Sequence, residues 1–131
     1  IDLDGFKQVN DRHGHELGDE LLVAVGRRLG AQMRSSDTVA RLGGDEFVVT
    51  AGGLSDERHA RDLGPKLVEA FREPFVLAGD RRCSVGLTIG YVLVPLDGSD
   101  PVSLLRRADA AMYAGKAQGK GSVRRAEAAV S

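Results

Sequence analysis

Apolar residues recur along the chain with two spacings, one typical of helices and one typical of strands. Helical spacing is clearest over residues 17–34, and it returns over residues 55–74 and from residue 100 onward. Apolar residues three or four positions apart form one face of an amphipathic helix. The faces predicted in this way are Leu17, Leu21, Leu22, Val25, Leu29 and Met33; Ala60, Leu63, Leu67, Val68 and Phe71; and Leu104, Leu105, Ala108, Ala111 and Met112.

Capping residues and prolines predict where these helices begin and end. Ser55 is a suitable N-cap for the second helix, and Pro74 ends it. Asp100 followed by Pro101 predicts the start of the third, because proline fits the first helical position. Asp4 is a predicted cap for a further short helix over residues 5–12.

Short β-prone runs predict the strands. Residues 1–3 resemble a strand end, residues 38–41 and 47–51 a hairpin, and residues 75–77 and 83–94 a second hairpin around Gly79-Asp80. Residues 122–131 are polar and alanine-rich, so we expect a frayed tail. The order β-α-α-β-β-α-β-β-α predicts an α+β domain with a mostly antiparallel central sheet and helices packed around it.

Size and composition narrow the class of protein. The 131 residues predict one domain, and its first strand is expected to be truncated at Ile1. The net charge of −1 disfavours binding to a nucleic-acid polymer, and Cys83, the only cysteine, excludes an internal disulfide. The sequence shows no segment of membrane-spanning length and no signal-peptide pattern. We therefore expect a cytoplasmic domain, or the cytoplasmic part of a larger membrane or sensor protein.

The tip of the first predicted hairpin carries the candidate chemistry. Gly43 and Gly44 permit backbone angles and close ligand approach that other residues do not, and Asp45 and Glu46 follow directly. Adjacent carboxylates repel unless a cation neutralises them, although a solvated acidic turn is the alternative. If the first strand lies beside this hairpin, Asp2 comes near both acids. Such carboxylates can hold two divalent cations about 3.5–4 Å apart.

The order and spacing of several motifs resemble the GGDEF domain of diguanylate cyclases over nearly the whole chain. No single motif is decisive, but the combination is specific. The matching segments are residues 1–11 (IDLDGFKQVND), Gly14-His15, residues 18–22 (GDELL), residues 41–47 (RLGGDEF), residues 84–90 (SVGLTIG), Asp97-Gly98, residues 107–113 (RADAAMY) and residues 116–119 (KAQG). The resemblance implies a fold similar to the palm-like catalytic fold of nucleotidyl cyclases.

The resemblance also implies an activity, in which two GTP molecules are condensed into cyclic di-GMP with release of two pyrophosphates. Each 3′-hydroxyl attacks the α-phosphate of the other nucleotide, so two domains must face each other. By resemblance, Asp2, Asp45 and the backbone carbonyl of Leu3 ligate Mg²⁺ or Mn²⁺. Asp45 also assists deprotonation of the 3′-hydroxyl, and Glu46 supports the metal site.

Further residues have nucleotide-binding roles implied only by the resemblance. Asn10 and Asp19 would bind the guanine edge, while His15 either lies near base and ribose or is a solvated turn residue. Gly43 and Gly44 would lie against the triphosphate. Charge on the phosphates would be neutralised by Lys7, Lys116 and Lys120. Lys120 stands where the family usually has arginine, so the charge is kept but the bidentate fork is lost.

Arg34 and Asp37 match the family's RxxD inhibitory site, at which product binds. A local Arg–Asp pair at the end of the long helix is the alternative, and such a pair contributes little on a surface. The overall prediction is a product-inhibited diguanylate cyclase that acts as a homodimer, without nucleic-acid or membrane contact by this domain. The alternative is a non-catalytic module that binds cyclic di-GMP or GTP as a regulatory receptor.

Overall fold

A computed structural model describes residues 1–52 and 57–127 of the chain. It contains seven strands and four α-helices in those residues. In chain order they are β1 (Asp2–Asp4), α1 (Phe6–His13), α2 (His15–Ala31), β2 (Thr38–Gly43), β3 (Glu46–Thr50), α3 (Glu57–Ala70), β4 (Phe75–Leu77), β5 (Arg81–Cys83), β6 (Gly86–Tyr91), α4 (Pro101–Gln118) and β7 (Val123–Arg125). Ser55, the predicted cap of α3, lies outside the described residues.

A five-stranded sheet in the order β2-β3-β1-β6-β7 forms the centre of the domain. All of its pairings are antiparallel except the parallel pairing of β6 with β7. β4 and β5 form a separate two-stranded sheet. The predicted α+β class, with a mostly antiparallel sheet, is confirmed. Because β1 is central, its residues have strands on both sides, and Asp2 lies opposite Glu46 of β3 and Thr88 of β6.

One hydrophobic core lies between the sheet and the predicted apolar faces of α2 and α3. Leu3 and Leu87 of the sheet, with Leu21, Val25 and Leu29 of α2, are at most 1% exposed. Removing such surface from water contributes about 25 cal/mol per Å² of apolar area. The apolar pattern over residues 17–34 therefore fixes the face that α2 turns toward the sheet.

Helix α4 packs closely against β6 at a glycine. A Cβ at Gly90 would lie 2.1 Å from the carbonyl oxygen of Ala108 and 2.5 Å from the backbone nitrogen of Met112. Both atoms belong to the helix backbone and cannot rotate away. Gly90 therefore allows the helix to approach the strand, which brings the carboxyl end of α4 near β1.

Asp97 joins the loop after β6 to β7 and α4. Its carboxylate accepts hydrogen bonds from the Leu93 N–H at 2.7 Å and from Arg125 at 3.1 Å. Arg107 donates to the carbonyl oxygens of Asp97 and Glu127. Burial opposes ionisation of Asp97, but these hydrogen bonds and the two arginines outweigh it and lower its pKa. Asp97 and Arg107, which belong to two of the matching segments, therefore have a structural role.

Three predictions about elements are wrong. Asp4 does not cap α1, because the helix begins after Gly5 in a left-handed conformation without a side-chain cap. The strand predicted over residues 83–94 is shorter, because β6 spans Gly86–Tyr91 and pairs with β1, whereas Cys83 ends a separate strand, β5, that pairs with β4. The tail is not frayed at residues 123–125, which form β7, and residues 128–131 lie outside the described part.

The boundaries of α2 also differ from the prediction, since it begins at His15 and ends at Ala31. The predicted N-cap at Asp100 is confirmed, because its carboxylate accepts a hydrogen bond from the Ser103 N–H at 3.0 Å. Across residues 1–52 and 57–127, none of the helices has both the length and the apolar character needed to cross a membrane.

Candidate active site

The amino-terminal strand lies directly beside the glycine-acid hairpin. The Leu3 N–H donates to the carbonyl oxygen of Asp45 at 3.1 Å, and the Phe47 N–H donates to that of Ile1 at 2.9 Å. These bonds place Asp2 next to Asp45 and Glu46, as the sequence predicted. Asp2 therefore lies on a strand that is paired on both sides, while Asp45 lies in the hairpin turn beside it.

The carboxylates of Asp2 and Asp45 interact directly. Burial raises the pKa of Asp45, and the negative charge of Asp2 raises it further. Asp2 is only 8% exposed, and its buried Oδ1 has no hydrogen-bond partner within the described residues. An unpartnered buried carboxylate oxygen is energetically unfavourable. The Oδ1 of Asp2 is therefore left without compensation among the described residues.

Lys116 supplies part of that charge. Its Nζ contacts Asp2 Oδ2 and lies 3.8 Å from Asp4 Oδ1. Burial tends to lower the pKa of Lys116, but the hydrogen bond to Asp2 and the charges of Asp2, Asp4 and Asp45 outweigh it, so the pKa is raised. Lys116 is thus a protonated ammonium group directed at the carboxylates, although the sequence had predicted contact with phosphate.

The hairpin tip needs glycine for its backbone conformation. Gly43 has φ 151° and Gly44 has φ 52°, and the carbonyl oxygen of Gly44 accepts from Arg41 Nε at 3.0 Å. Among residues 1–52 and 57–127, a Cβ at either glycine would meet nothing within 4 Å. The exposed turn therefore leaves open space beside Asp45.

The predicted base-binding residues lie on α1 and α2. His15 and Asp19 are four positions apart on α2, which places them on one face, and both are exposed. Asn10 of α1 is half-buried, and its Oδ1 is buried without a hydrogen-bond partner among the described residues. All three residues thus lie on the two helices that meet at Gly14, and Asn10 also packs against Gly18 of α2.

Gly18 is the residue at this junction that sequence reasoning missed as a determinant. A Cβ at Gly18 would lie 1.7 Å from Asn10 Oδ1, so any other residue would displace that amide. The only sequence signal was a glycine within the apolar face of a helix, where glycine lowers helix stability. Such a glycine often marks close packing, but the sequence does not identify its neighbour.

The remaining predicted phosphate ligands are exposed lysines. Lys7 lies on α1, next to the buried Phe6, and Lys120 lies in the turn after α4. The structure gives no ion pair for either lysine within the described residues. Lys120 directly precedes Gly121, whose N–H donates to Asp4 Oδ2 at 3.0 Å. The phosphate roles of both lysines stay predictions.

Arg34 and Asp37 lie in the loop between α2 and β2. The Asp37 carboxylate accepts from the Arg34 N–H at 2.8 Å and from the Gly52 N–H at 3.2 Å. These bonds fix the loop against the end of β3. The side chain of Arg34 is exposed, and the contact between the two residues is made by the Arg34 backbone and not by its guanidinium.

Metal binding would rest on very few protein ligands. Within residues 1–52 and 57–127, no group of three or more His, Cys, Asp or Glu residues is arranged to hold a metal ion. Asp2 and Asp45 still offer hard oxygen donors, one of them buried and unpartnered. This set suits Mg²⁺, which is commonly held by one or two carboxylates together with substrate phosphates.

Comparison with known proteins identifies the family. The family model for the diguanylate cyclase GGDEF domain matches residues 1–122, and these include the carboxylate pair and the glycine turn. The chain belongs to the GGDEF domain family. GGDEF domains with solved structures share its palm-like α+β fold.

Similar proteins include a named cyclase and two solved domains. The chain is 43% identical over 127 residues to diguanylate cyclase TpbB of Pseudomonas aeruginosa, covering 97% of this chain and 29% of that protein. The crystal structure of the TpbB GGDEF domain has a TM-score of 0.92 at 42% identity, covering 98% of this chain and 80% of that one. The GGDEF domain of DgcB from Caulobacter crescentus, in complex with c-di-GMP, has a TM-score of 0.76 at 26% identity, covering 95% and 73%.

This GGDEF domain thus spans less than a third of the TpbB protein that it matches.

Proposed function

We propose that this GGDEF domain is the catalytic part of a diguanylate cyclase, which condenses two GTP molecules into cyclic di-GMP and two pyrophosphates. One observation carries the proposal: Asp2 and Asp45 face each other beside the glycine turn, and Asp2 Oδ1 lacks a partner in the described chain. A purely structural domain would gain nothing from this unfavourable pair. The family match and the name of TpbB agree with the proposal.

Mg²⁺ or Mn²⁺ would be held by Asp2, Asp45 and the backbone carbonyl of Leu3. When bound, such an ion polarises phosphoryl oxygens and lowers the pKa of an attacking hydroxyl. Leu3 is suited to contribute because its N–H is bonded to the Asp45 carbonyl, which fixes β1 against the hairpin. Glu46 lies opposite Asp2 and would support the same site.

Residues of α1 and α2 would bind the guanine. The Asp19 carboxylate can accept hydrogen bonds from N1–H and the exocyclic amine, and the Asn10 amide can bind the same edge. Their rigid helices would hold the base at a constant distance from Asp45. His15 would lie beside the base and ribose.

The triphosphate would lie along the glycine turn. Gly43 and Gly44 leave open space for it, and Lys7, Lys116 and Lys120 would neutralise charge that develops on the departing pyrophosphate. Lys116 is already protonated at the site because the neighbouring carboxylates raise its pKa. The lysines would contact the phosphates directly, whereas the carboxylates would act on them only through the bound metal ion.

Each condensation forms a bond between a 3′-oxygen and an α-phosphorus, and the bond from that phosphorus to pyrophosphate breaks. The 3′-hydroxyl proton would leave toward Asp45, and polarisation of the hydroxyl by the bound ion would supply most of the activation, because a carboxylate is a weak base at neutral pH. One chain presents one GTP, so a homodimer would be needed to close the ring.

Arg34 and Asp37 would form the site for inhibition by product. The exposed Arg34 guanidinium is available to form bidentate hydrogen bonds with guanine or phosphate, while Asp37 is already held in place by two backbone N–H groups. The c-di-GMP complex of DgcB agrees with product binding by a related domain.

The test is to incubate the full-length protein with GTP and Mg²⁺ and to quantify nucleotides and pyrophosphate by chromatography. We expect cyclic di-GMP together with pyrophosphate in a ratio of one to two. Tight binding of cyclic di-GMP without any turnover of GTP would contradict the enzyme and support the receptor. Pyrophosphate without a cyclic product would contradict both.

A further inference from the structure

Asp4 is a buried carboxylate without a role in the mechanism above. It is the last residue of β1 and is only 8% exposed. It does not cap α1, so helix capping does not account for its burial. Burying a charge is unfavourable unless hydrogen bonds and opposite charges compensate for it. The partners of Asp4 should therefore indicate what it does.

The partners come from three different segments. The Thr88 hydroxyl of β6 lies 2.9 Å from Oδ1 and 2.8 Å from Oδ2 of Asp4. The Gly121 N–H, in the turn after α4, donates to Oδ2 at 3.0 Å. Lys116 Nζ lies 3.8 Å from Oδ1. Asp4 thus connects β1 with β6, with the last turn of α4 and with the segment that leads into β7.

Packing leaves little freedom at this junction. Thr88 is fully buried, and a Cβ at Gly115 would lie 2.6 Å from Ser122 Oγ and 3.5 Å from Thr88 Cγ2. The carboxyl end of α4 therefore packs closely against Ser122, which precedes β7, and is in van der Waals contact with Thr88 of β6. Lys116 follows Gly115 directly, so the position of its ammonium group depends on how this end of the helix is held.

We propose that Asp4 is a positioning residue that acts through Lys116. By holding Thr88 and Gly121, it fixes the end of α4 so that Lys116 Nζ is shared between Asp4 and Asp2. Lys116 is thereby kept beside the Asp2–Asp45 pair, where it would meet the phosphates of GTP. This inference rests on the proposed cyclase function, but it assigns Asp4 no contact with nucleotide or metal.

A double-mutant cycle in the full-length protein tests this coupling. The variants are Asp4→Asn, Lys116→Gln and their combination, and the readouts are kcat/KM for GTP and the Kd of 3′-deoxy-GTP with Mg²⁺. The analogue lacks the attacking hydroxyl, so its binding is measured without turnover. We expect Asp4→Asn to weaken both readouts by about 10- to 100-fold. The double variant should be no worse than Lys116→Gln, whereas independent action would multiply the two losses and overturn the proposal.

Further variants separate positioning from other roles. Thr88→Val removes the hydroxyl with little change of shape and should lower kcat/KM, while Thr88→Ser keeps the hydroxyl and should stay near wild type. Equal losses in both would contradict the proposal. If Asp4→Asn does not fold, Thr88→Val replaces it in the cycle. Asp62→Asn, the same change at an exposed position of α3, should match wild type.

Three further outcomes distinguish the positioning role from a metal-ligand role and from failure of the proposed cyclase function. If Asp4 were a metal ligand, Asp4→Asn would raise the Mg²⁺ concentration needed for half-maximal binding of 3′-deoxy-GTP. We expect that concentration, measured at a nucleotide concentration scaled to the Kd of each variant, to stay close to that of wild type, because Asp4 is assigned no contact with the metal. If wild type binds the analogue but makes no cyclic di-GMP, the cyclase function fails, and the cycle in Kd still decides the role of Asp4. If wild type does neither, both proposals are overturned.

Discussion

At the scale of single residues, the neighbouring carboxylates of the candidate site lower the stability of the folded chain. The pKa of Asp45 is raised by burial and by the charge of Asp2, so the ionised pair is unfavourable in the folded chain at neutral pH. Lys116 offsets part of this through its contact with Asp2. Sites that bind cations often combine like charges in this way, because the bound ion restores the balance.

The first prediction concerns the pH dependence of stability. With EDTA present, Asp45→Asn should raise the free energy of unfolding at pH 7, by no more than about 1 kcal/mol because water screens a partly exposed charge. A raised folded-state pKa means that protonation favours the folded form, so wild-type stability is lost as pH rises through that pKa. The gain in Asp45→Asn should therefore vanish toward the ordinary pKa of 3.8. Chemical denaturation at several pH values measures it.

The same denaturation experiment with magnesium and nucleotide present should favour wild type instead of Asp45→Asn. Mg²⁺ with 3′-deoxy-GTP should raise the stability of wild type but not that of Asp45→Asn. Asp62→Asn, changed at an exposed carboxylate on α3, should follow wild type throughout. A lower stability of Asp45→Asn at pH 7 without metal would contradict the electrostatic account.

At the scale of elements, the packing of α1 against α2 determines the position of a predicted base-binding side chain. Gly18 of α2 lies so close to α1 that a Cβ would overlap Asn10 Oδ1. Because that oxygen is at the end of a side chain, the amide can rotate away, and the helices need not separate. A substitution at Gly18 is thus expected to affect guanine binding more than folding.

Gly18→Ala should weaken binding of 3′-deoxy-GTP by about 3- to 10-fold, the equivalent of one lost hydrogen bond. It should also reduce the ratio of the affinity for GTP to the affinity for ATP. Gly30→Ala is the matched control, since it lies on the same helix and its Cβ would meet nothing within 4 Å. Calorimetric titration measures both. Equal affinities in the two variants would contradict the role given to Gly18.

The loop between α2 and β2 is the element proposed for inhibition. Arg34→Ala removes the exposed guanidinium but keeps the backbone bond to Asp37, so the loop should persist. Losing charge-assisted hydrogen bonds of about 1.5–3 kcal/mol should raise the inhibition constant of cyclic di-GMP by about 10- to 100-fold. Progress curves with added product measure it, with Arg58→Ala on α3 as control. Unchanged inhibition in Arg34→Ala would place the product site elsewhere.

Across the whole molecule, local patterns predicted more than long-range contacts did. The apolar face of α2 and the Asp100 cap follow from neighbouring residues, and the structure has them. The contact of β1 with the hairpin joins segments that are remote in sequence, and it was predicted from the order of the elements. β7 was missed because its short polar sequence is ordered only by pairing with the distant β6. Asp4 was misassigned for a similar reason, since Thr88 and Gly121 are remote in sequence.

The whole-molecule prediction is that activity depends on assembly. Because one chain presents one carboxylate pair and one base-binding junction, ring closure requires two chains. The specific activity of the full-length protein should therefore fall on dilution below the dimer dissociation constant. Sedimentation and initial rates over the same concentrations measure this. A constant specific activity in samples that sediment as monomers would contradict the half-site interpretation.

The central claim is that Asp2 of the central strand and Asp45 of the hairpin turn form a GTP-condensing site. The most direct measurement is cyclic di-GMP formation from GTP and Mg²⁺ by full-length wild type, Asp2→Asn and Asp45→Asn, with circular dichroism to verify folding. The account predicts product from wild type and a loss of about 10³-fold or more in each variant. Wild-type rates in either folded variant would contradict it.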